Sequence, residues 1–182
     1  MASVIEEDFL LPHLDAAYNL ARWMMGNDAD AEDVVQEACV RALGAMDRFR
    51  GGDRRAWLLA IVRNGCYSAF RGRRGHTATG FDENAHRDEE RTPSPERLVL
   101  EDETARRVQA AVAALSPEFR EAIVLREFEG LSYKEIADVV AVPIGTVMSR
   151  LARARAHLQH ALGPARRAAG DTRSIENRGA DR

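Results

Sequence analysis

Two stretches of the sequence carry residue types and spacings suited to chemistry, and in both that chemistry is binding rather than bond-making. The first is Glu129-Gly130-Leu131-Ser132-Tyr133-Lys134-Glu135-Ile136-Ala137, followed by Val139-Val140-Ala141-Val142-Pro143-Ile144-Gly145-Thr146-Val147. Gly130 is placed to end one helix, Ser132 to cap the next, and Glu135 three residues on to complete a capping box. Ile136, Ala137 and Val140 face inward, Ala141 to Pro143 make a short connection, and Pro143 can open the following helix because its missing N–H costs nothing there. That helix, Ile144 to Leu162, buries Val147, Leu151, Ala154 and Leu158 and leaves Thr146, Ser149, Arg150, Arg153 and Arg155 on its other side. A small, capped helical pair with a basic outer face fits the major groove of duplex DNA. A helical hairpin with a merely solvated basic face is the plainer reading of the same pattern.

The second stretch lies between Phe49 and Arg71. A helix burying Leu58, Ile61, Val62 and Ala69 leaves Arg63, Asn64, Tyr67 and Arg71 together, with Trp57 at the margin. Aromatic, Arg and Asn side chains on one face can stack on unpaired bases and grip the phosphates of a single strand. Trp57 taken alone reads as core. Patterns that make or break bonds do not occur. His13, His76, His86, His157 and His160 show no HExxH or paired-ligand spacing, and there is no Gly-rich phosphate loop or nucleophile motif. Cys39 and Cys66 sit on separate apolar stretches and read as small buried thiols. No enzyme activity, cofactor, metal site or small-molecule substrate is expected.

The elements that hold these residues follow from the periodicity. Apart from the middle and the tail, the chain has helical period throughout and no sustained strand alternation, which makes it all-α. A first helix is expected from about Glu7 to Met25, with Leu10, Leu14, Ala17, Leu20, Ala21 and Met24 inward and a stop at Gly26-Asn27. Asp28 or Asp30 then caps a second helix ending near Phe49, with Val35, Cys39, Ala42, Leu43 and Met46 on one side and Asp33, Gln36, Glu37 and Val40 opposite. After Gly51-Gly52, Asp53 caps a third helix that ends in the basic turn Gly72 to Gly75. Further helices are expected from about Pro95 to Leu115, from Ser116 to Glu129, and as a pair from Ser132 to Leu162. The architecture is two small helical domains, 6–75 and 96–163, joined by a flexible acidic linker over 76–95 and followed by a disordered tail over 164–182.

Charge supports the division. The net charge of −3 hides opposed blocks. Arg41, Arg48, Arg50, Arg54, Arg55, Arg63, Arg71, Arg73 and Arg74 form one basic block. Arg150, Arg153, Arg155, Arg166 and Arg167 form another, and an acidic cluster from Asp82 to Glu103 lies between. Two basic footprints suggest two nucleic-acid contacts. No apolar run approaches the roughly 20 residues of a membrane span, so no membrane insertion is expected. The acidic Met1 to Asp8 stretch does not resemble a secretory signal, and the expectation is a cytoplasmic protein.

Taken together these motifs resemble the sigma factors of bacterial RNA polymerase, specifically the extracytoplasmic-function (ECF) group, which keeps only the second and fourth sigma domains. The resemblance covers about Phe9 to Leu162. It rests on Asp30-Ala31-Glu32-Asp33-Val34-Val35-Gln36-Glu37-Ala38, Phe49-Arg50-Gly51, Trp57-Leu58-Leu59-Ala60-Ile61-Val62-Arg63-Asn64, Leu115-Ser116-Pro117-Glu118-Phe119-Arg120-Glu121 and Gly145-Thr146-Val147-Met148-Ser149-Arg150-Leu151. It implies that Asp33, Gln36, Glu37 and Val40 dock on the β′ clamp helices of core RNA polymerase. Phe49, Arg50, Arg54, Arg55, Trp57, Arg63, Asn64, Tyr67 and Arg71 would open and read the minus-10 element of promoter DNA. Ser132, Tyr133, Lys134, Gly145, Thr146, Ser149, Arg150 and Arg153 would read the minus-35 element, the second domain would touch the β flap, and an anti-sigma factor would hold the protein inactive. The alternative is a stand-alone helix-turn-helix regulator that binds duplex operator DNA, its first domain sensing a ligand or partner.

Overall fold

A computed structural model of the chain describes residues 9–76 and 97–163, which are helical with no strand among them. The expected tail, nearly all of the expected linker, and residues 6–8 of the expected first domain lie outside the described residues. So do Arg166, Arg167 and the acidic residues from Asp82 to Glu96.

The first helical stretch is divided where Pro12 sits. A 3-10 turn, Leu11–His13, precedes helix α1, Leu14–Met25, because proline supplies no N–H to the i→i−4 ladder. Gly26 ends α1 with a left-handed φ of 84°. Helix α2, Asp28–Leu43, is capped by Asn27, one residue before the expected Asp28; the Asn27 side chain accepts from the Asp30 N–H at 2.9 Å. It stops at Leu43 rather than near Phe49, giving way at Gly44 to a 3-10 turn, Met46–Arg48.

The buried stripe of α2 differs from the expected one. Ala31, Val34, Ala38 and Ala42 are inside, Val35, Cys39 and Met46 are half-buried, and Leu43 is exposed. The alanines bring α2 close to its neighbours, so the larger apolar residues are turned to the rim. The same closeness explains Gly65. A Cβ there would lie 3.1 Å from Val34 Cγ1, so the glycine marks a tight crossing of α2 and α3. Helix α3, Arg54–His76, passes unbroken through Gly65, Gly72 and Gly75. Its start is capped by Asp53, which accepts from the Arg55 N–H at 2.8 Å. Leu58, Leu59, Val62 and Cys66 are its innermost residues, while Ile61 and Ala69 are half-buried.

In the second domain α4, Arg97–Ala113, leads to α5, Pro117–Ile123, which runs into a π-helical turn, Val124–Phe128. There the Glu129 N–H reaches back five residues to the Val124 carbonyl at 3.0 Å. Helix α6, Tyr133–Val140, begins with the expected capping box: the Ser132 N–H donates to Glu135 Oε2 at 2.7 Å, and the Glu135 N–H donates to Ser132 Oγ at 3.3 Å. Ala141 ends it in the left-handed region at φ 54°. Helix α7, Ile144–Leu162, follows Pro143, which stands just before the helix as its cap rather than within its first turn. Val147, Leu151 and Ala154 are buried as expected and Leu158 is half-buried.

The two helical units do not stand apart. Helix α1 packs on α4, α5 and the π turn, and α3 packs on α6. The buried apolar residues of both units form one continuous cluster.

Candidate nucleic-acid interface

On the helix-turn-helix, the short N-terminal turn of α7 holds Gly145, Thr146 and Ser149 at the surface, with Ser149 Oγ donating to the Thr146 carbonyl at 2.9 Å. Lys134 and Arg153 are exposed, as is Ser132. Tyr133 is half-buried beneath the Arg126 guanidinium, which lies 5.1 Å from its ring centroid. Hydrogen bonding to Ser132 holds the Glu135 carboxyl below its ordinary range. Arg155 is paired with Glu127 at 2.7 Å. Ile144 and Met148 are both about half exposed on this surface (45% and 53%). The sequence reading missed them, although they fall out of phase with Val147, Leu151 and Ala154. Arg150, expected outward, is turned in: its Nη1 donates to Glu121 Oε1 at 2.9 Å.

The face on α3 is built around an aromatic cluster. Phe9, Phe49 and Trp57 pack mutually with ring centroids 5.2 to 5.8 Å apart, and the Arg54 guanidinium lies 4.6 Å from the Phe9 ring. Phe49 and Trp57, both half-buried, therefore anchor the loop 49–53 against the body of the domain, with Trp57 at the edge of the core and not within it. Gly51 and Gly52, at φ 91° and 108°, give that loop a course closed to other residues, and Arg50 and Arg54 stand exposed on it. Farther along, Arg63 lies over Tyr67 at 4.4 Å and donates to Asn64 Oδ1 at 3.2 Å. Arg71 is exposed and donates to Ser68 Oγ at 3.0 Å. Burial raises the Tyr67 hydroxyl well above its ordinary pKa.

A third surface lies on α2. Asp33, Gln36 and Glu37 are exposed there, with Glu37 paired to Arg41 one turn on. Val40 (69% exposed) and Leu43 lie on the same helix. Acidic and amide side chains beside uncovered aliphatic ones suit a protein partner better than the phosphate chain of a nucleic acid.

Between the two units, two carboxylates hold arginines of the α3 face. Glu121, wholly buried, accepts from Arg63 Nε at 2.8 Å and Nη2 at 3.4 Å in addition to Arg150. Glu129 pairs with the Arg55 guanidinium and accepts from the Asn19 amide, while its carbonyl accepts from Arg55 Nη1 at 2.8 Å. Arg120 reaches across to the Met24 carbonyl at 3.0 Å, and Trp23 packs on Phe128 with centroids 4.7 Å apart. The sequence reading found the arginines and gave none of them these partners.

The described residues contain no cluster of three His, Cys, Asp or Glu side chains able to hold a metal, and no helix among them is long and apolar enough to cross a membrane. Residues 9–76 match the family model of sigma-70 region 2, and residues 105–158 match that of sigma-70 region 4. The ECF RNA polymerase sigma-E factor of Escherichia coli K12 is 37% identical over 145 residues, covering 74% of this chain and 75% of the relative. The chain belongs to the ECF sigma factors. The RNA polymerase sigma-H factor of Pseudomonas aeruginosa is 40% identical over 146 residues, covering 74% of each. ECF RNA polymerase sigma factor SigE of Mycolicibacterium smegmatis is 35% identical over 153 residues, and the chain spans 60% of that relative's length. Among solved structures, the sigma factor RpoE in complex with the anti-sigma factor NepR from Bartonella quintana matches with a TM-score of 0.68 at 34% identity, over 88% of this chain and 99% of that one. CnrH in complex with the cytosolic domain of CnrY matches with a TM-score of 0.58 at 29% identity, over 86% of each chain.

Proposed function

We propose that this sigma factor binds core RNA polymerase, directs it to promoters through two DNA contacts, and is held in check by an anti-sigma factor. The observation that carries the reading is the joint presence, on one chain, of a capped helix-turn-helix with an exposed polar and basic turn and of a second basic, aromatic face on α3. Duplex contact is assigned to Ser132, Tyr133, Lys134, Gly145, Thr146, Ser149 and Arg153, where small and basic side chains meet the surface. Arg150 supports that surface from behind through Glu121. Single-strand contact is assigned to Arg50, Arg54, Arg55, Arg63, Asn64, Tyr67 and Arg71 on the scaffold made by Phe49 and Trp57. Asp33, Gln36, Glu37 and Val40 form the dock for the polymerase clamp, and Leu43 extends it. The anti-sigma partner is supported by the structural neighbour RpoE, a sigma factor found in complex with the anti-sigma factor NepR. The family gives no support to a stand-alone regulator.

Co-purification of the chain with core RNA polymerase tests the reading, comparing the native protein with an Asp33→Ala, Glu37→Ala double variant. Native protein is expected to co-elute with core and the variant to be lost from it while keeping its helical circular dichroism. Native protein that never co-elutes with core, yet shifts duplex DNA, would overturn the proposal in favour of a regulator.

A further inference from the structure

Ile144 and Met148 are the large apolar side chains that α7 leaves exposed. They stand four residues apart, so they share one face of the helix, and the exposed Ala152 continues the line. Beside it runs a second exposed line, Gly145, Ser149 and Arg153, each one residue further on. Arg150 is turned away from both lines, toward the buried Glu121. The outer face of the first turns of α7 is therefore apolar along one edge and polar along the other.

An uncovered isoleucine and methionine would ordinarily suit a protein partner, but the charge around these two favours a polyanion. Helix α7 carries Arg150, Arg153 and Arg155 and has no aspartate or glutamate over its length, and Lys134 stands exposed near the start of α6. Such a surface complements the phosphates that flank a groove. Gly145 points the same way. A Cβ there would meet nothing within 4 Å among the described residues, so no neighbour in the chain requires the glycine, although glycine weakens a helix relative to alanine. Its bare backbone lets an outside surface come close. In the major groove, the apolar feature that base pairs present is the C5-methyl group of thymine.

We propose that Ile144 and Met148 read thymine, each packing against the C5-methyl group of one thymine in the minus-35 element, while Ser149 and Arg153 take the polar edges and phosphates beside it. This inference rests on the sigma reading above. Four residues of helix rise about 6 Å, and base pairs are stacked about 3.4 Å apart, so the two thymines lie about two base pairs apart. The element chosen by this chain is thus set by methyl groups as well as by hydrogen bonds.

Holoenzyme, core polymerase with the full chain, is to be tested on a genomic fragment from which it initiates. The fragment is synthesised with deoxyuridine in place of one thymidine of the minus-35 element at a time, which removes a methyl group and leaves every hydrogen-bonding edge intact. Native holoenzyme is expected to bind about fourfold more weakly at two such positions, the loss of one buried methyl group. Met148→Ala holoenzyme should be indifferent to the change at one position and Ile144→Ala holoenzyme at the other. Both variants should keep their helical circular dichroism, because both side chains are exposed. An element with no methyl-sensitive thymine, or a sensitivity that persists undiminished in both variants, would overturn the proposal. So would variants that bind the fragments like native protein but compete poorly for core, since that would make the pair a protein dock. Native protein that yields no start sites with core at all would bring down the sigma reading itself, an outcome distinct from start sites whose upstream element ignores methyl groups.

Discussion

Glu121 shows how much a single side chain can be asked to hold. It lies 58 residues from Arg63 and 29 from Arg150 in sequence, and nothing in the local pattern of α5 distinguishes it from a surface glutamate. Sequence reading therefore placed both arginines outward, because periodicity assigns a helix face but not a distant partner. Removing one member of a buried ionic set leaves the others uncompensated, and Glu121→Ala is expected to destabilise the protein by about 3 kcal/mol in urea unfolding. Cys66 was legible as a small buried thiol and is one. Its burial pushes the thiol up to about 12 from an ordinary 9.0. A folded-state pKa above the unfolded one means that native protein holds the proton longer. Stability is thus fully present below pH 9 and falls as pH rises toward 12, by at most about 1.4 kcal/mol per pH unit for this group. Unfolding curves at pH 8 and pH 10 would read that slope, and Cys66→Ala should flatten it; an equal slope in the variant would assign the pH effect to other groups, such as Tyr67.

At the scale of elements, the helix-turn-helix was the most legible part of the chain. Ser132 and Glu135 are three apart, and local hydrogen bonding alone specifies what they do. Ser132→Ala is expected to lower stability by about 1 kcal/mol through loss of the cap. The turn itself carries a strain that the sequence concealed, because Ala141 adopts the left-handed conformation in which its Cβ crowds the backbone. Ala141→Gly should raise stability by about 1 kcal/mol without altering duplex binding, and a loss of stability would mean that the alanine methyl makes a packing contribution outweighing the strain. Helix α2 was legible at its start, but neither its end, at Leu43 instead of near Phe49, nor its rotation was. The run Val34-Val35 followed by Ala38-Cys39 and Ala42-Leu43 offers two adjacent apolar stripes, and only the close crossing at Gly65 selects the alanine-rich one. The π turn after α5 has no sequence signature; it adds one residue before Glu129 and helps aim that carboxylate at Arg55.

At the scale of the molecule, fold class and the division into two helical units followed from periodicity and charge, whereas the packing of the units on each other did not. That packing is written in pairs such as Asn19 with Glu129 and Trp23 with Phe128, which are ordinary surface residues until both helices are in place. The proposed dock on α2 belongs to this scale too, since Val40 and Leu43 are left uncovered by the described residues. Val40→Ser with Leu43→Ser should weaken core polymerase binding about tenfold, measured by competition against a labelled sigma factor, while melting temperature stays put. Equal competition by variant and native protein would move the dock elsewhere.

If this chain gives core RNA polymerase its choice of start site, in-vitro transcription from a genomic fragment library with mapped 5′ ends will show it. Core enzyme with the purified protein should produce discrete start sites absent with core alone, each preceded by a shared pair of upstream elements. Transcripts identical with and without the protein would mean that the chain does not direct initiation.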